Sequence, residues 1–137
     1  RVGYALTSES NAAALNRVRM PYNVTAVSQA LGAFALKNPS IMEAQVALIR
    51  AERNRVFRVL RQIRAIEPLA SETNFILIRT KPEWVSRIQS VFESRGYSLR
   101  FFGEQDGLGA YFRITIGKKE NNDAVLSILK EVMASCE

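Results

Sequence analysis

Histidine is missing from these 137 residues altogether. A Ser–His–Asp or Cys–His relay therefore has no imidazole to work with, and a histidine-ligated metal is excluded within the chain. Cysteine occurs once, at Cys136 beside the C-terminal residue. No internal disulfide can form, which fits a reducing compartment and points to the cytoplasm. No apolar run approaches the roughly 20 residues that cross a bilayer, so no membrane partner is expected. Internal repeats and low-complexity tracts are lacking too, which excludes solenoid and linker readings.

What is present is the composition of a globular domain: 47% hydrophobic, 23% charged, with a formal net charge of +6. A basic balance raises the question of nucleic acid. Arginines 50, 53, 55, 58, 61 and 64 crowd into one short stretch, so the excess is local rather than a general coat. On a helix they spread over a wide arc, with Glu43, Glu52 and Glu67 in reach. A solvated face or an ion-pair network is the expectation there, and a basic nucleic-acid-binding module is the competing reading. Only Phe57 supplies an aromatic ring in that stretch, and no RNA-binding strand signature occurs.

Along the chain, VGYAL (2–6) reads as a short strand entered at once, with no methionine before it. The expectation is a piece of a longer polypeptide. Ser8 or Ser10 caps a helix to about Val18, and Pro21 breaks the pattern. A second helix from about Thr25 to Leu36 is apolar nearly all round and should be buried on several sides. The third, from about Ile41 to Ile63, carries apolar residues at 42, 46, 49, 56, 60 and 63, a stripe that only Arg53 interrupts. Next come a strand over 74–80 and a helix from about Pro82, closed by Gly96. Strands over 97–102 and 111–117 follow, joined by GEQDGLGA. A last helix opens at Asn121 or Asn122 and runs to about Met133. The fold class is α+β: a small, mainly antiparallel sheet with helices on one face, preceded by a long spine helix. The expected division is 1–38 and 39–137.

Strand parity singles out two side chains. Phe112, Ile114 and Ile116 share one face of the last strand; Tyr111, Arg113 and Thr115 share the other. In YSLRFF, Arg100 falls with Ser98 and Phe102, opposite Tyr97, Leu99 and Phe101. If the two strands are antiparallel neighbours, both guanidinium forks open onto one place, suited to a carboxylate or phosphate. The alternative is a pair of surface or ion-paired arginines on a half-wet sheet. The acids Glu104 and Asp106 and the glycines of their loop lack the context of a catalytic pair or a phosphate-cradling loop. Lys118 and Lys119 simply flank the last helix.

The segments RVGYALTS, VRMPYNVTAVSQALGAFAL, ERNRVFRVL, ETNFILIRT, RGYSLRFF and YFRITIGKKENND stand in an order and spacing that resemble the C-terminal part of the histidinol-phosphate aminotransferases. These are fold-type I pyridoxal-phosphate enzymes. The resemblance covers essentially the whole chain, and the combination of RMPYNV, TNFILIR and RITIG makes it specific. It implies residues 1–38 as the end of a large cofactor-binding domain and 39–137 as a small C-terminal domain. It implies Arg1 as the arginine that binds the cofactor phosphate, with the Schiff-base lysine upstream of Arg1. None of Lys37, Lys81, Lys118, Lys119 or Lys130 stands at that lysine's position, so the piece alone should be inactive. Arg113 would grip the substrate's acidic group, and Arg100 would help hold its phosphate. The family usually has Arg-Asp-Phe where this chain has Arg100-Phe101-Phe102, which leaves room for a related aromatic amino-acid aminotransferase or phospho-amino-acid decarboxylase. The implied reaction is exchange of an amino group between histidinol phosphate and 2-oxoglutarate in histidine biosynthesis, by a homodimer.

Overall fold

The computed structural model describes residues 2–104 and 107–136. The chain divides into two compact units, Arg1–Gln45 and Val46–Glu137.

In the first unit Ser8 caps α1 (Glu9–Val18) by accepting from the Asn11 N–H, and Thr25 caps α2 (Ala26–Lys37) by accepting from Ser28. These are the short hydroxyl caps that satisfy first-turn donors. Residues 2–6 are not a strand: among the described residues nothing pairs with them. A strand needs a neighbour's N–H and C=O groups, whatever its own β preference. The expected burial of α2 is also overturned, since Val27, Leu31, Phe34 and Leu36 are all exposed.

A third helix, α3 (Pro39–Leu60), begins in the first unit and continues in the second. It stops short of Ile63 because Gln62 and Ile63 turn tightly, each N–H bonding three residues back. The second unit then runs β1 (Glu67–Pro68), β2 (Phe75–Arg79), α4 (Pro82–Ser94), β3 (Arg100–Phe101), β4 (Tyr111–Thr115) and α5 (Lys119–Ala134). The four strands form one sheet in the order β1-β2-β4-β3, antiparallel throughout. The pattern reading did not include β1. It is two residues long and carries Pro68, which suits an edge strand that needs no second ladder.

Helix α4 ends in a Schellman arrangement. Gly96 adopts φ 77°, its N–H bonds Glu93 O, and the Tyr97 N–H reaches back to Phe92 O. That last bond takes Tyr97 out of the ladder, so β3 is shorter than the expected 97–102. The alternation survives: Tyr97, Leu99 and Phe101 pack on the core, while Ser98 and Arg100 stay exposed. Phe101 also stacks on Phe112 of β4 at 5.7 Å between ring centres.

One face of the sheet is sealed. Ile76, Ile78, Phe112, Ile114 and Ile116 are buried with Val56 and Leu60 of α3, Ile88 and Phe92 of α4, and Leu126, Leu129 and Val132 of α5. The opposite face carries Phe75, Leu77 and Arg79 on β2 and Tyr111, Arg113 and Thr115 on β4, all at least partly exposed. The functional candidates sit on this second face. No helix among the described residues is long and apolar enough to cross a membrane.

Helix α5 does not open at Asn121 or Asn122. Its cap is Lys118, which offers no side-chain bond. Asn122 is instead buried inside the first turn, where its amide serves the chain that precedes the helix.

Candidate anion site on the open sheet face

The antiparallel pairing of β3 with β4 sets Arg100 directly opposite Arg113. On Arg113's other side the register partner is Leu77 of β2. A leucine, an arginine and a second arginine therefore stand in one row across three strands, on the face opposite the one packed against α3, α4 and α5. Like charges placed opposite each other in a sheet destabilise it. Among the described residues neither arginine has a carboxylate partner.

A third arginine on the same face makes the contrast plain. Arg79 is ion-paired with Glu67, its register partner on β1. That hydrogen bond, foremost, raises the Arg79 pKa above its ordinary value. So one arginine is neutralised, and the other two have no carboxylate partner among the described residues.

Arg113 is the more enclosed of the pair. Its guanidinium carbon lies 4.7 Å from the centre of the Phe75 ring, a cation–π contact that braces the fork from one side. Its Nε is shut off from solvent and donates to nothing among the described residues. A buried donor without a partner costs about 1–3 kcal/mol and marks a place where an acceptor is expected. Arg100 is exposed and keeps to the Phe102 ring, at 5.7 Å. Phe75 pairs with Thr115, so Arg113 leans toward the Thr115 end while Arg100 stays by Phe102. Their backbones are opposite, but the two forks point toward opposite ends of the strand pair, so the expected opening onto one place is not seen in this structure.

The other candidates fall elsewhere. Arg1 and Asp106 lie outside the described residues, and Glu104 is exposed. Of the six arginines at 50–64, Arg53 and Arg55 form ion pairs among the described residues. Arg53, 6% exposed, donates to Thr73 O and to Glu72. Arg55 binds Glu52 through two nitrogens and Asp123 through one. The hydrogen bond to Glu52, foremost, raises the Arg55 pKa, and the same bond lowers that of Glu52 against the opposing effect of burial. Asp123 is lowered by Lys119 first and Arg55 next. Parity alone missed the Phe75 brace; the shared face of Phe75, Leu77 and Arg79 was readable, but not which of them would meet Arg113.

Two arginines without carboxylate partners among the described residues, on a small antiparallel sheet with a helix layer behind it, are chemically suited to an anion. A family model for aminotransferase class I and II matches residues 1–129, and the chain belongs to that family of fold-type I pyridoxal-phosphate enzymes. It is 36% identical over 134 residues to histidinol-phosphate aminotransferase from Thermoanaerobacter pseudethanolicus, covering 97% of this chain and 37% of that protein. In fold it is similar to the crystal structure of histidinol-phosphate aminotransferase from Clostridium acetobutylicum, with TM-score 0.78, 22% identity, and 93% and 39% coverage of the two chains. It is similar as well to L-threonine-O-3-phosphate decarboxylase from Porphyromonas gingivalis, with TM-score 0.76, 18% identity, and 94% and 40% coverage. The chain thus spans a little over a third of the length of these relatives.

The family's cofactor needs a lysine for its imine, and the five lysines answer poorly. Lys81 lies over the Trp84 ring, Lys119 is paired with Asp123, and Lys37, Lys118 and Lys130 are exposed on or beside helices. None stands among Leu77, Tyr111, Thr115 and Arg100, the residues around Arg113 in the register. The described residues alone do not fit pyridoxal phosphate.

Proposed function

We propose that this chain is the substrate-gripping part of a pyridoxal-phosphate aminotransferase that moves an amino group between histidinol phosphate and 2-oxoglutarate. The observation that carries this is the Arg100–Arg113 opposition, left without a carboxylate among the described residues. Two cations in one row suit a phosphate monoester, which bears about −1.5 to −2 charge near neutral pH, better than they suit a single carboxylate. The same forks would take the carboxylate of the 2-oxo acid in the second half-reaction. Arg113, enclosed and braced by Phe75, is the principal grip, and the exposed Arg100 the second. A two-pronged hold orients the reacting carbon, and a β-strand keeps that hold rigid.

In the whole protein, residues 1–38 would close a large cofactor-binding domain, with Arg1 on the cofactor phosphate and the imine-forming lysine upstream. Residues 39–137 would form the small domain of each subunit in a cytoplasmic homodimer. When bound, pyridoxal phosphate supplies the electron sink for the broken Cα–H bond. A phospho-amino-acid decarboxylase is the second reading, favoured by the likeness in fold to the Porphyromonas enzyme.

Steady-state kinetics of the full-length protein test the proposal. Arg113→Met should lower kcat/KM for histidinol phosphate by about 2–5 kcal/mol, roughly 30- to 5,000-fold. Arg100→Met should cost less. An unchanged kcat/KM in Arg113→Met, or carbon dioxide released in place of a 2-oxo product, defeats the proposal. The 137-residue chain alone, mixed with the cofactor and borohydride, should carry no stoichiometric adduct. Turnover with one labelled lysine would refute that part.

A further inference from the structure

We propose that Asn122 is a positioning residue: its amide clamps the end of β4 and thereby sets where Arg113 stands. The inference rests on reading Arg113 as the substrate's anion grip.

Asn122 is 2% exposed, and its side chain makes three hydrogen bonds. The Oδ1 accepts from the Gly117 N–H at 3.0 Å, while Nδ2 donates to the Gly117 carbonyl at 3.0 Å and to Glu52 Oε1 at 2.9 Å. Gly117 lies two residues past the last residue of β4 and four past Arg113. Bonding both the N–H and the C=O of one residue fixes its translation along the strand and its rotation together.

The clamp is itself anchored. Glu52 accepts from Arg55 at 2.6 and 2.9 Å, Arg55 reaches Asp123 at 2.6 Å, and Asp123 takes Lys119 at 2.8 Å. Charge-assisted bonds of this kind are roughly twice as strong as neutral ones, and here they tie α3 and α5 to one peptide.

β4 needs this restraint because its ladder is lopsided. Five residues pair with β2, but only Arg100 and Phe101 pair on the side of β3. Past the ladder the Ile116 N–H donates to Asn74 O at 2.8 Å, and the Asn122 clamp on Gly117 is the next hold on the strand's end. A displaced fork weakens the hold on the anion, a loss that appears in KM rather than in kcat.

A double-mutant cycle in the full-length, cofactor-loaded protein separates positioning from plain stabilisation. Asn122→Ala should raise KM for histidinol phosphate about tenfold while kcat stays within about twofold. Arg113→Lys, which keeps the charge and loses the fork, should raise KM further. The double variant should match Arg113→Lys alone within about twofold, because residues acting through one another do not add. If Asn122→Ala fails to fold, the isosteric Asn122→Asp replaces it in the same cycle, with its carboxylate repelled by Glu52. A lowered melting temperature with wild-type KM, or independent and multiplicative effects, overturns the clamp. A wild-type KM in Arg113→Lys, or no turnover of histidinol phosphate by the unaltered protein, overturns the reading of the site instead.

Discussion

The units Arg1–Gln45 and Val46–Glu137 both carry marked apolar patterns, and the patterns end differently. In the second, the alternation of β2 and β4 and the stripes of α4 and α5 close on one another, leaving Leu60, Ile76, Ile88, Phe92 and Phe112 with no exposed surface. In the first, no described residue is buried; Leu31 and Phe34 stay more than half exposed even though α2 is the most apolar of the helices. An apolar pattern records that a face requires a cover. Whether the same chain supplies the cover depends on which elements topology brings together. The long stripe of α3 shows both outcomes in one helix: Ile41, Met42, Val46 and Leu48 are exposed, whereas Val56 and Leu60 are sealed.

The sharpest way to break this comparison is to cut into the closed unit. Phe112→Ala removes a ring that packs on Phe101 and the helices behind it. It should cost about 3–5 kcal/mol, read as a lower urea midpoint. A loss below about 1 kcal/mol would mean that this core relaxes around the cavity. Next in size, Asn122→Ala leaves the Gly117 peptide without its partner and should cost about 1–3 kcal/mol by the same measurement.

A smaller effect follows from acid. Glu52 is held below its ordinary value of 4.5, chiefly by its hydrogen bond to Arg55, and Asp123 below its ordinary 3.8, chiefly by Lys119. A carboxyl group whose pKa is depressed by folding contributes stability that is complete above its unfolded pKa and is lost as pH falls through the folded one. The urea midpoint should therefore hold down to about pH 5 and fall below about pH 4.5, and Glu52→Gln should make that fall shallower. An equally steep fall in the variant would place the acid sensitivity elsewhere. The smallest effect is expected in the open unit. Phe34→Ser should leave the midpoint within about 0.5 kcal/mol and reduce binding of a hydrophobic dye. A large destabilisation there would show that the first unit has a core of its own.

Much of the candidate site was legible because strand parity is local. Phe112 and Ile114 facing the helices, with Arg113 on the other side, follows from the period of two whatever the neighbours are. The placement of Arg100 held for the same reason, even though its ladder proved only two residues long. The misses share a cause. VGYAL has the composition of a strand but no partner among the described residues, and β1 has a partner without the composition. Asn122 resembled a helix cap because asparagine often caps helices, whereas its amide is committed to Gly117 and Glu52. Arg53 read as a break in an apolar stripe, and it is buried there because Thr73 O and Glu72 meet it.

The sequence by itself determined which side of each strand an arginine faces, that these segments form helices, and which surfaces shun water, since these depend on neighbours within a few residues. Only the tertiary structure decided that Arg79 finds Glu67, that Arg113 finds Phe75 and that Arg100 stands opposite it. Register and pairing join residues far apart in the chain, and one step of slippage would send every side chain on a strand to the other face.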